Sequence, residues 1–221
     1  FKVGMQIQDR LLAALRHCCQ TLPDNRRGKN ASYAMADFVL AAFAPIFLQS
    51  PSFLAHQRHL QTGYGRSNCE TLFGMRKIPG GSQVRAMLNP VDPAHFYSMF
   101  ADIPAELRHS GGREAMRCLD GRLLIALDGT EYHRSDKIYC PDCSHRKRGK
   151  DEAEYFHTML AAALVVPGHN HAVPLQPEFI LPQDGHAKQD CESRAVRRWL
   201  SPYGARYATL KPVYLGTIDF R

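Results

Sequence analysis

The chain has 221 residues, of which 44% are hydrophobic and 22% are charged. This composition is typical of a globular protein that buries a core, and it excludes a disordered or fibrous chain. The formal net charge of +7 and the isoelectric point near 9.1 favour a polyanionic partner.

Helical periodicity runs through the first part of the chain. Apolar residues recur every three or four positions from Ile7 to Leu22, which predicts one helix that ends at Pro23. A second helix is predicted through residues 35–43. It overlaps the longest apolar run of the chain, 11 residues at 38–48, which contains Pro45 and is too short to cross a bilayer. No membrane partner is therefore expected.

Three further helix starts follow. Ser50–Pro51 and Asp92–Pro93 each have the pattern of an N-cap followed by proline, and Ser82 could cap a short helix. The segment 110–112 is rich in glycine and marks a boundary, so a helical domain is predicted at 1–113. That domain carries 13 basic and 7 acidic residues, against 15 and 14 in residues 114–221. Most of the excess positive charge therefore lies in the helical domain.

The pattern changes after residue 113. The apolar run Leu123–Leu127 predicts a strand buried on both faces, and further strands are predicted at 156–166 and 172–180. Residues 184–200 have few β-branched side chains and predict a helix, and 212–220 predicts a last strand. The predicted fold class is α+β: a helical domain, then a mixed sheet at 114–221 in the order strand, strand, strand, helix, strand.

Two of the predicted strands end near aspartates. Asp128 follows the first strand, and Asp219 lies near the end of the fourth. If these two strands are neighbours, both carboxylates lie at one edge of the sheet. Carboxylates so close together need a cation, and oxygen ligands suit Mg²⁺ or Mn²⁺. Asp128 alone could also be a turn residue before Gly129.

Five segments of the chain resemble, in this order, segments that are usual neighbours in one protein family. They are SFLAHQRHL, GRSNCETLFGMRKIPGGSQVRAMLNP, LLIALDGTEYHRS, YFHTMLAAALVVPG and PEFILPQDGHAKQDCESRAVRRWL. From about Phe47 to Gly216 the chain resembles bacterial insertion-sequence transposases of the DDE type. The resemblance implies an RNase H-like catalytic domain in which Asp128 is the first acid and a ligand of Mg²⁺ or Mn²⁺. It also implies cleavage at transposon ends, strand transfer to target DNA and assembly as a homo-oligomer when active.

The chain departs from this family at the second acid. The family reads LGDD after its fourth strand, whereas this chain reads LGTIDFR, so Asp219 is the nearest candidate. Strand side chains alternate between faces, and a displacement by one or two positions moves the carboxylate from the expected place. The third acid, a glutamate on a later helix, has no counterpart, and Glu192 is more simply a solvated helix residue paired with Arg194. We therefore expect a C-terminally truncated, inactive copy with exposed apolar surface and poor solubility.

A pair of cysteines at zinc-ligand spacing follows the first predicted strand. Cys140 and Cys143 form C-x-x-C, whose two thiolates can bind one tetrahedral Zn²⁺. The candidates for the other ligands are His133, His145, His157 and Cys191, of which we take His157 as the third ligand. A metal-free turn and a redox pair are the alternatives. The odd number of cysteines, seven, and the absence of a secretory pattern favour a reducing, cytoplasmic compartment.

Basic residues cluster at two places in the second half. The candidate DNA-binding residues are Arg146, Lys147, Arg148, Lys150, Arg194, Arg197 and Arg198. They could contact phosphates, which gives salt-dependent affinity without sequence information, or form a solvated charged face. The helical domain is expected to supply most of the DNA affinity.

Three functions are consistent with these patterns. The first is a DDE-type transposase in a truncated, inactive copy. The second is a non-catalytic DNA-binding relic or regulator that occupies transposon ends. The third is a zinc-stabilised nucleic-acid module without enzymatic ancestry.

Overall fold

The computed structural model describes residues 2–26, 31–62, 70–75, 77–149, 152–182, 190–208 and 211–216. The chain divides into two compact units, Phe1–Asp102 and Ile103–Arg221. The fold is mixed α+β, as the sequence predicts, with helices in the first unit and a sheet with further helices in the second. The division falls inside a helix at Tyr97–His109, before the glycine-rich segment at 110–112.

Helices make up the described part of the first unit. They are α1 (Lys2–Gln20), α2 (Met35–Phe47), α3 (Phe53–Gln61) and α4 (Gly81–Leu88), followed by a 3-10 turn (Pro93–Phe96) and the start of α5 (Tyr97–His109). Their shared core includes Phe38 and Leu40 of α2, Leu60 of α3 and Phe73. Among the described residues, no helix combines the length and apolar character that a membrane span needs.

Two predicted helix starts are displaced. The cap of α3 is Ser52, whose Oγ accepts from the Ala55 N–H at 3.1 Å, because the Ser50 hydroxyl instead contacts Nδ1 of His56 at 3.0 Å. Helix α4 begins before Ser82, after Gly80, whose N–H donates to the Gln83 side chain. The prediction at Asp92 is confirmed, since its carboxylate accepts from the Ala94 N–H at 2.8 Å.

The second unit is built around one sheet. Its strands are β1 (Arg117–Cys118), β2 (Arg122–Ser135), β3 (Ser144–Arg148), β4 (Glu152–Val165), β5 (Ala172–Pro174), β6 (Glu178–Ile180) and β7 (Val213–Gly216). Its helical segments are α6 (Gly112–Ala115), α7 (Glu192–Trp199), a π-helical turn (Leu200–Gly204) and α8 (Ala205–Ala208). Strand β2 lies between β4, which is antiparallel to it, and β7, which is parallel. The condition set for the first and fourth predicted strands is therefore met, since β2 and β7 are neighbours.

The strand boundaries differ from the predicted ones in three places. Strand β2 does not stop at Leu127 but continues to Ser135, because its polar residues still pair with β4. The basic segment Ser144–Arg148, expected as a charged surface segment, forms β3 against β4. The strand expected at 172–180 is divided into β5 and β6, both of which pair with β4.

Helix α7 covers one face of this sheet. Trp199 is fully buried, and its indole N–H donates to the Gln176 carbonyl at 2.7 Å. The core beneath it contains Leu123, Ile125 and Leu127 of β2, Leu160, Ala162 and Leu164 of β4, and Ala195 and Val196 of α7. These β2 and β4 residues alternate along their strands, so the residues between them face the other side of the sheet.

A network of ion pairs fixes the start of α7. The Arg198 guanidinium donates to both carboxylate oxygens of Asp190 at 2.8 Å and to Glu178 at 2.7 Å. The Asp190 side chain is only 1% exposed and also accepts from the N–H groups of Leu181 and Cys191. Burial alone would raise the pKa of Asp190, but Arg198 and these backbone donors hold it below its usual value.

Candidate functional site

Two thiols and one imidazole converge on one face of the sheet. The Sγ atoms of Cys140 and Cys143 are 3.6 Å apart, and each lies 3.3 Å from Nε2 of His157. The sulfur separation far exceeds the length of a disulfide, about 2.05 Å, so the thiols are free. Within the described part of the chain, this is the group of three or more His, Cys, Asp or Glu side chains that could hold a metal ion. The three residues are those predicted from the sequence.

The strand register explains why these residues meet. Ser144 of β3 pairs with Phe156 of β4, so Cys143, just before β3, lies beside His157. The turn from Cys140 to Cys143 is closed by a hydrogen bond from the Cys143 N–H to the Cys140 carbonyl, at 3.1 Å. The Cys140 N–H in turn points to Sγ of Cys143, at 3.2 Å. The C-x-x-C turn therefore holds both sulfurs over the His157 ring.

His157 has a second neighbour across the sheet. His133 of β2 pairs directly with His157, and the β2 register shifts between Glu131 and His133, which is a β-bulge at Tyr132. The Tyr132 ring stacks on the His157 ring with centroids 5.6 Å apart. Burial, followed by the nearby His133, lowers the pKa of His157. The imidazole is therefore neutral at pH 7, which is the form that binds a metal.

Asp128 lies within β2 and not in a strand-end turn. It is exposed, and its register partner is Ala161 of β4. The parallel pairs of β2 with β7 end at Leu127 with Gly216, one residue before Asp128. Asp219, the second predicted acid, lies outside the described residues. The structure thus places one predicted catalytic acid, beside the end of the parallel neighbour.

Glu192 does not join Asp128. At the start of α7, its carboxylate lies against the backbone of Gly129, so close that a Cβ there would come within 2.0 Å of Oε1. Side chains at 128 and 129 point to opposite faces of β2, and Glu192 is therefore on the other face from Asp128. A side chain at position 129 would therefore have to displace the Glu192 carboxylate. No described group of three or more His, Cys, Asp or Glu side chains includes Asp128.

The arginines of β3 are already paired with acids. Arg146 donates to Glu154 and Glu131, both at 2.6 Å, and its guanidinium lies 4.7 Å from the centroid of the Phe156 ring. Arg148 also donates to Glu154, at 3.3 Å. Glu154 is almost fully buried, so these ion pairs hold β3 on the sheet.

The other predicted DNA-binding residues differ in their surroundings. Lys147 of β3 and Arg197 of α7 are exposed, and Arg194 is half-buried with an interaction of its own. Arg198 makes four hydrogen bonds within the fold, to Asp190, Glu178 and the Phe179 carbonyl, and we no longer assign it to DNA. Lys150 lies outside the described residues.

The sequence patterns did not indicate the acids that neutralise these arginines. Glu131 and Glu154 occupy ordinary strand positions, and Asp190 precedes a helix without a local signal of burial. Asp190 lies before α7 and eight residues from Arg198, so no i,i+4 helical spacing marks the pair.

Comparisons of the chain with known protein families, with curated proteins and with solved structures found no match.

Proposed function

We propose that this chain is a DDE-type transposase with an RNase H-like catalytic sheet, in a form that binds DNA without cutting it. The observation that carries the proposal is the position of Asp128, an exposed carboxylate on the central strand β2, beside the end of its only described parallel neighbour. An acid at this place is what the RNase H-like arrangement requires of the first member of its triad.

The strand order supports the same arrangement. Strand β4 is antiparallel to β2, and both β5 and β6 pair with β4. Helix α7 follows, and then β7, which lies parallel to β2 on the side opposite β4. A parallel return after an intervening helix needs a crossover, and it leaves Asp128, within β2, one residue past the last pair with β7. With β1 and β3 as additional strands, this order agrees with the strand, strand, strand, helix, strand order predicted from the apolar runs and supports the proposal.

The chemistry of Asp128 follows from its exposure. An exposed carboxylate offers hard oxygen ligands that suit Mg²⁺ or Mn²⁺. A cation held there would polarise a phosphodiester and stabilise charge on its oxygens. The residue itself positions the cation, and DNA phosphate completes the coordination. Among the described residues a single carboxylate lies at this place, and one carboxylate does not hold the pair of cations that in-line displacement uses, which is why binding without cleavage is proposed.

A non-catalytic DNA-binding relic or regulator is the second candidate. It is favoured by the separation of Glu192 from Asp128 on opposite faces of β2. In that case the exposed basic residues are the functional part and Asp128 has no role. The two candidates differ in one measurable respect. Metal binding in the presence of DNA requires Asp128 in the first candidate and does not require it in the second.

DNA binding tests the shared part of the proposal. We expect the 221-residue polypeptide to bind duplex DNA with a dissociation constant of about 10⁻⁴–10⁻⁶ M at physiological salt, as non-specific binding does. Lys147→Gln and Arg197→Gln should each lower the slope of log affinity against log salt by about 1, since each removes one phosphate contact. Fluorescence anisotropy of a labelled duplex measures both quantities.

Lys137→Gln is the matched control, because Lys137 is exposed but is not among the candidate residues, and its slope should equal that of the wild type. Supercoiled plasmid incubated with the protein and Mn²⁺ should remain uncut. Absence of binding at low salt would overturn the proposal. If the wild-type protein cuts the plasmid and Asp128→Ala does not, the claim that the chain is inactive is wrong, but the transposase assignment stands.

A further inference from the structure

We propose that Cys140, Cys143, His157 and His133 bind one structural Zn²⁺, with His133 as the fourth ligand. The ion would link the connection between β2 and β3, which carries the two cysteines, to the two histidines on the neighbouring strands β4 and β2. This site is separate from Asp128 and does not depend on the proposed function.

The separations of the three converged atoms fit a tetrahedral ion. With Zn–S about 2.3 Å and Zn–N about 2.0 Å, two sulfurs are about 3.8 Å apart and a sulfur and a nitrogen about 3.5 Å apart. The observed separations are 3.6 Å between the sulfurs and 3.3 Å from each sulfur to Nε2 of His157. A single ion can therefore contact all three atoms with shifts of a few tenths of an ångström.

The two sulfurs and the imidazole are held in place by their surroundings. The Cys140 N–H points to Sγ of Cys143 at 3.2 Å, which fixes both sulfurs within one turn. Cys143 is buried, and the Tyr132 ring stacks on the ring of His157. Two thiolates with imidazole ligands select Zn²⁺ over Mg²⁺ or Mn²⁺, which prefer oxygen.

His133 is the residue placed to complete the site. It lies directly opposite His157 in the β2 to β4 register, on the same face of the sheet. Two histidine rings on one tetrahedral Zn²⁺ have centroids about 5 Å apart, because each centroid lies about 3 Å from the ion. The centroids of the His133 and His157 rings are 5.8 Å apart. Rotation of the His133 side chain brings one of its nitrogens to the ion.

The other candidate ligands are less well placed. His145 pairs with Tyr155, one position further along β3, and its ring contacts the Tyr155 ring. Cys191 is the N-cap of α7. His133 also lies outside the converged group of three, but it is the candidate whose register position is directly opposite His157. The four ligands thus come from β2, the C-x-x-C turn and β4.

The ion would add a link to a segment whose backbone hydrogen bonds are local. In residues 136–143, the N–H groups of Lys137 and Ile138 donate to the Ser135 hydroxyl, and the turn closes on itself. The Tyr139 ring stacks on the ring of Tyr155 in β4, with centroids 4.9 Å apart. Ile138 and Tyr139 are more than 60% exposed. A metal linking this segment to β4 therefore orients the start of β3, including the Arg146 ion pairs.

A titration tests both the ion and its fourth ligand. Metal-free protein, prepared with a chelator under reducing conditions, is titrated with Zn²⁺ against a competing chelator. We expect one Zn²⁺ per chain. Cys143→Ser and His133→Ala should each weaken the affinity at least 100-fold, whereas removal of an outer-shell partner costs about 10–100-fold. His145→Ala is the matched control and should change the affinity less than threefold. Circular dichroism of each variant tests whether it is folded.

A cobalt spectrum provides a gain of signal at position 133. Co²⁺ in the wild-type site should show the absorption of a four-coordinate ion with two thiolates. His133→Cys should still bind Co²⁺ and add charge-transfer intensity from a third thiolate, because the new sulfur lies at the ion. Absence of stoichiometric Zn²⁺ overturns the site. An unchanged spectrum in His133→Cys, or equal losses in His145→Ala and His133→Ala, overturns the assignment of His133.

Discussion

Zinc should raise the free energy of unfolding of residues 103–221 by about 4 kcal/mol when free Zn²⁺ exceeds its dissociation constant about 1,000-fold. The reason is linkage: the four ligands converge in the folded sheet, whereas the unfolded chain lacks that geometry. Any binding to unfolded cysteines reduces the effect. Trp199, the one tryptophan of the chain, is fully buried against the sheet, so its fluorescence reports unfolding of this unit.

Urea titrations with and without Zn²⁺ measure this difference. Cys143→Ser should be insensitive to Zn²⁺, and His145→Ala should respond as the wild type does. Addition of Mg²⁺ in place of Zn²⁺ should leave the midpoint unchanged, because the ligand set disfavours hard cations. A zinc response of equal size in Cys143→Ser would contradict the site.

Asp190→Asn should destabilise the second unit by about 2–4 kcal/mol. Removing one partner of a buried pair costs about 3–5 kcal/mol, and the lower range applies because the Arg198 side chain is 39% exposed. The change leaves the Arg198 guanidinium without the carboxylate that it binds through two hydrogen bonds. It also replaces the charged acceptor of the Leu181 and Cys191 N–H groups with a neutral amide. Arg197→Gln, an exposed change one residue before Arg198, should stay within about 0.5 kcal/mol.

The effect of Asp190 should depend on pH in one direction. Its pKa is lower in the folded protein than in the unfolded chain, where it is about 4. The stabilisation is therefore present above about pH 4 and is lost as the pH falls through the folded value. The difference in unfolding free energy between wild type and Asp190→Asn should be constant from pH 5 to 8 and shrink below pH 4. A difference that grows on acidification would contradict the ion pair.

The metal trio and the neighbouring strands could be predicted from the sequence because their signals are local or follow from connectivity. C-x-x-C spacing fixes two ligands, and the helix between β6 and β7 provides the crossover that a strand parallel to β2 needs. Asp128 was predicted at the end of the first strand, and it lies next to the end of β7, because Leu127 pairs with Gly216. These elements depend on short spacings or on the order of strands along the chain.

The remaining features depend on partners distant in sequence. Strand β2 extends beyond Asp128 through polar residues that hydropathy does not mark, because the β4 ladder holds them. Strand β3 is basic and looks like a surface segment until Glu154 and Glu131 neutralise Arg146. Arg198 looks like a DNA contact until Asp190, eight residues earlier, and Glu178, 20 residues earlier, are seen to bind it. Ion pairs of this kind are set by the fold and leave no periodic signal.

Mn²⁺ binding at Asp128 in the presence of DNA tests the central claim most directly. Paramagnetic broadening of amide signals can be followed in ¹⁵N-labelled, zinc-loaded protein mixed with a short duplex and a small amount of Mn²⁺. We predict broadening at residues 127–129, at Ala161 and at Gly216 in the wild type, its loss in Asp128→Asn, and its retention in Glu192→Gln, whose side chain lies on the other face. Broadening that is absent from these residues, or that persists unchanged in Asp128→Asn, would contradict the proposed transposase site.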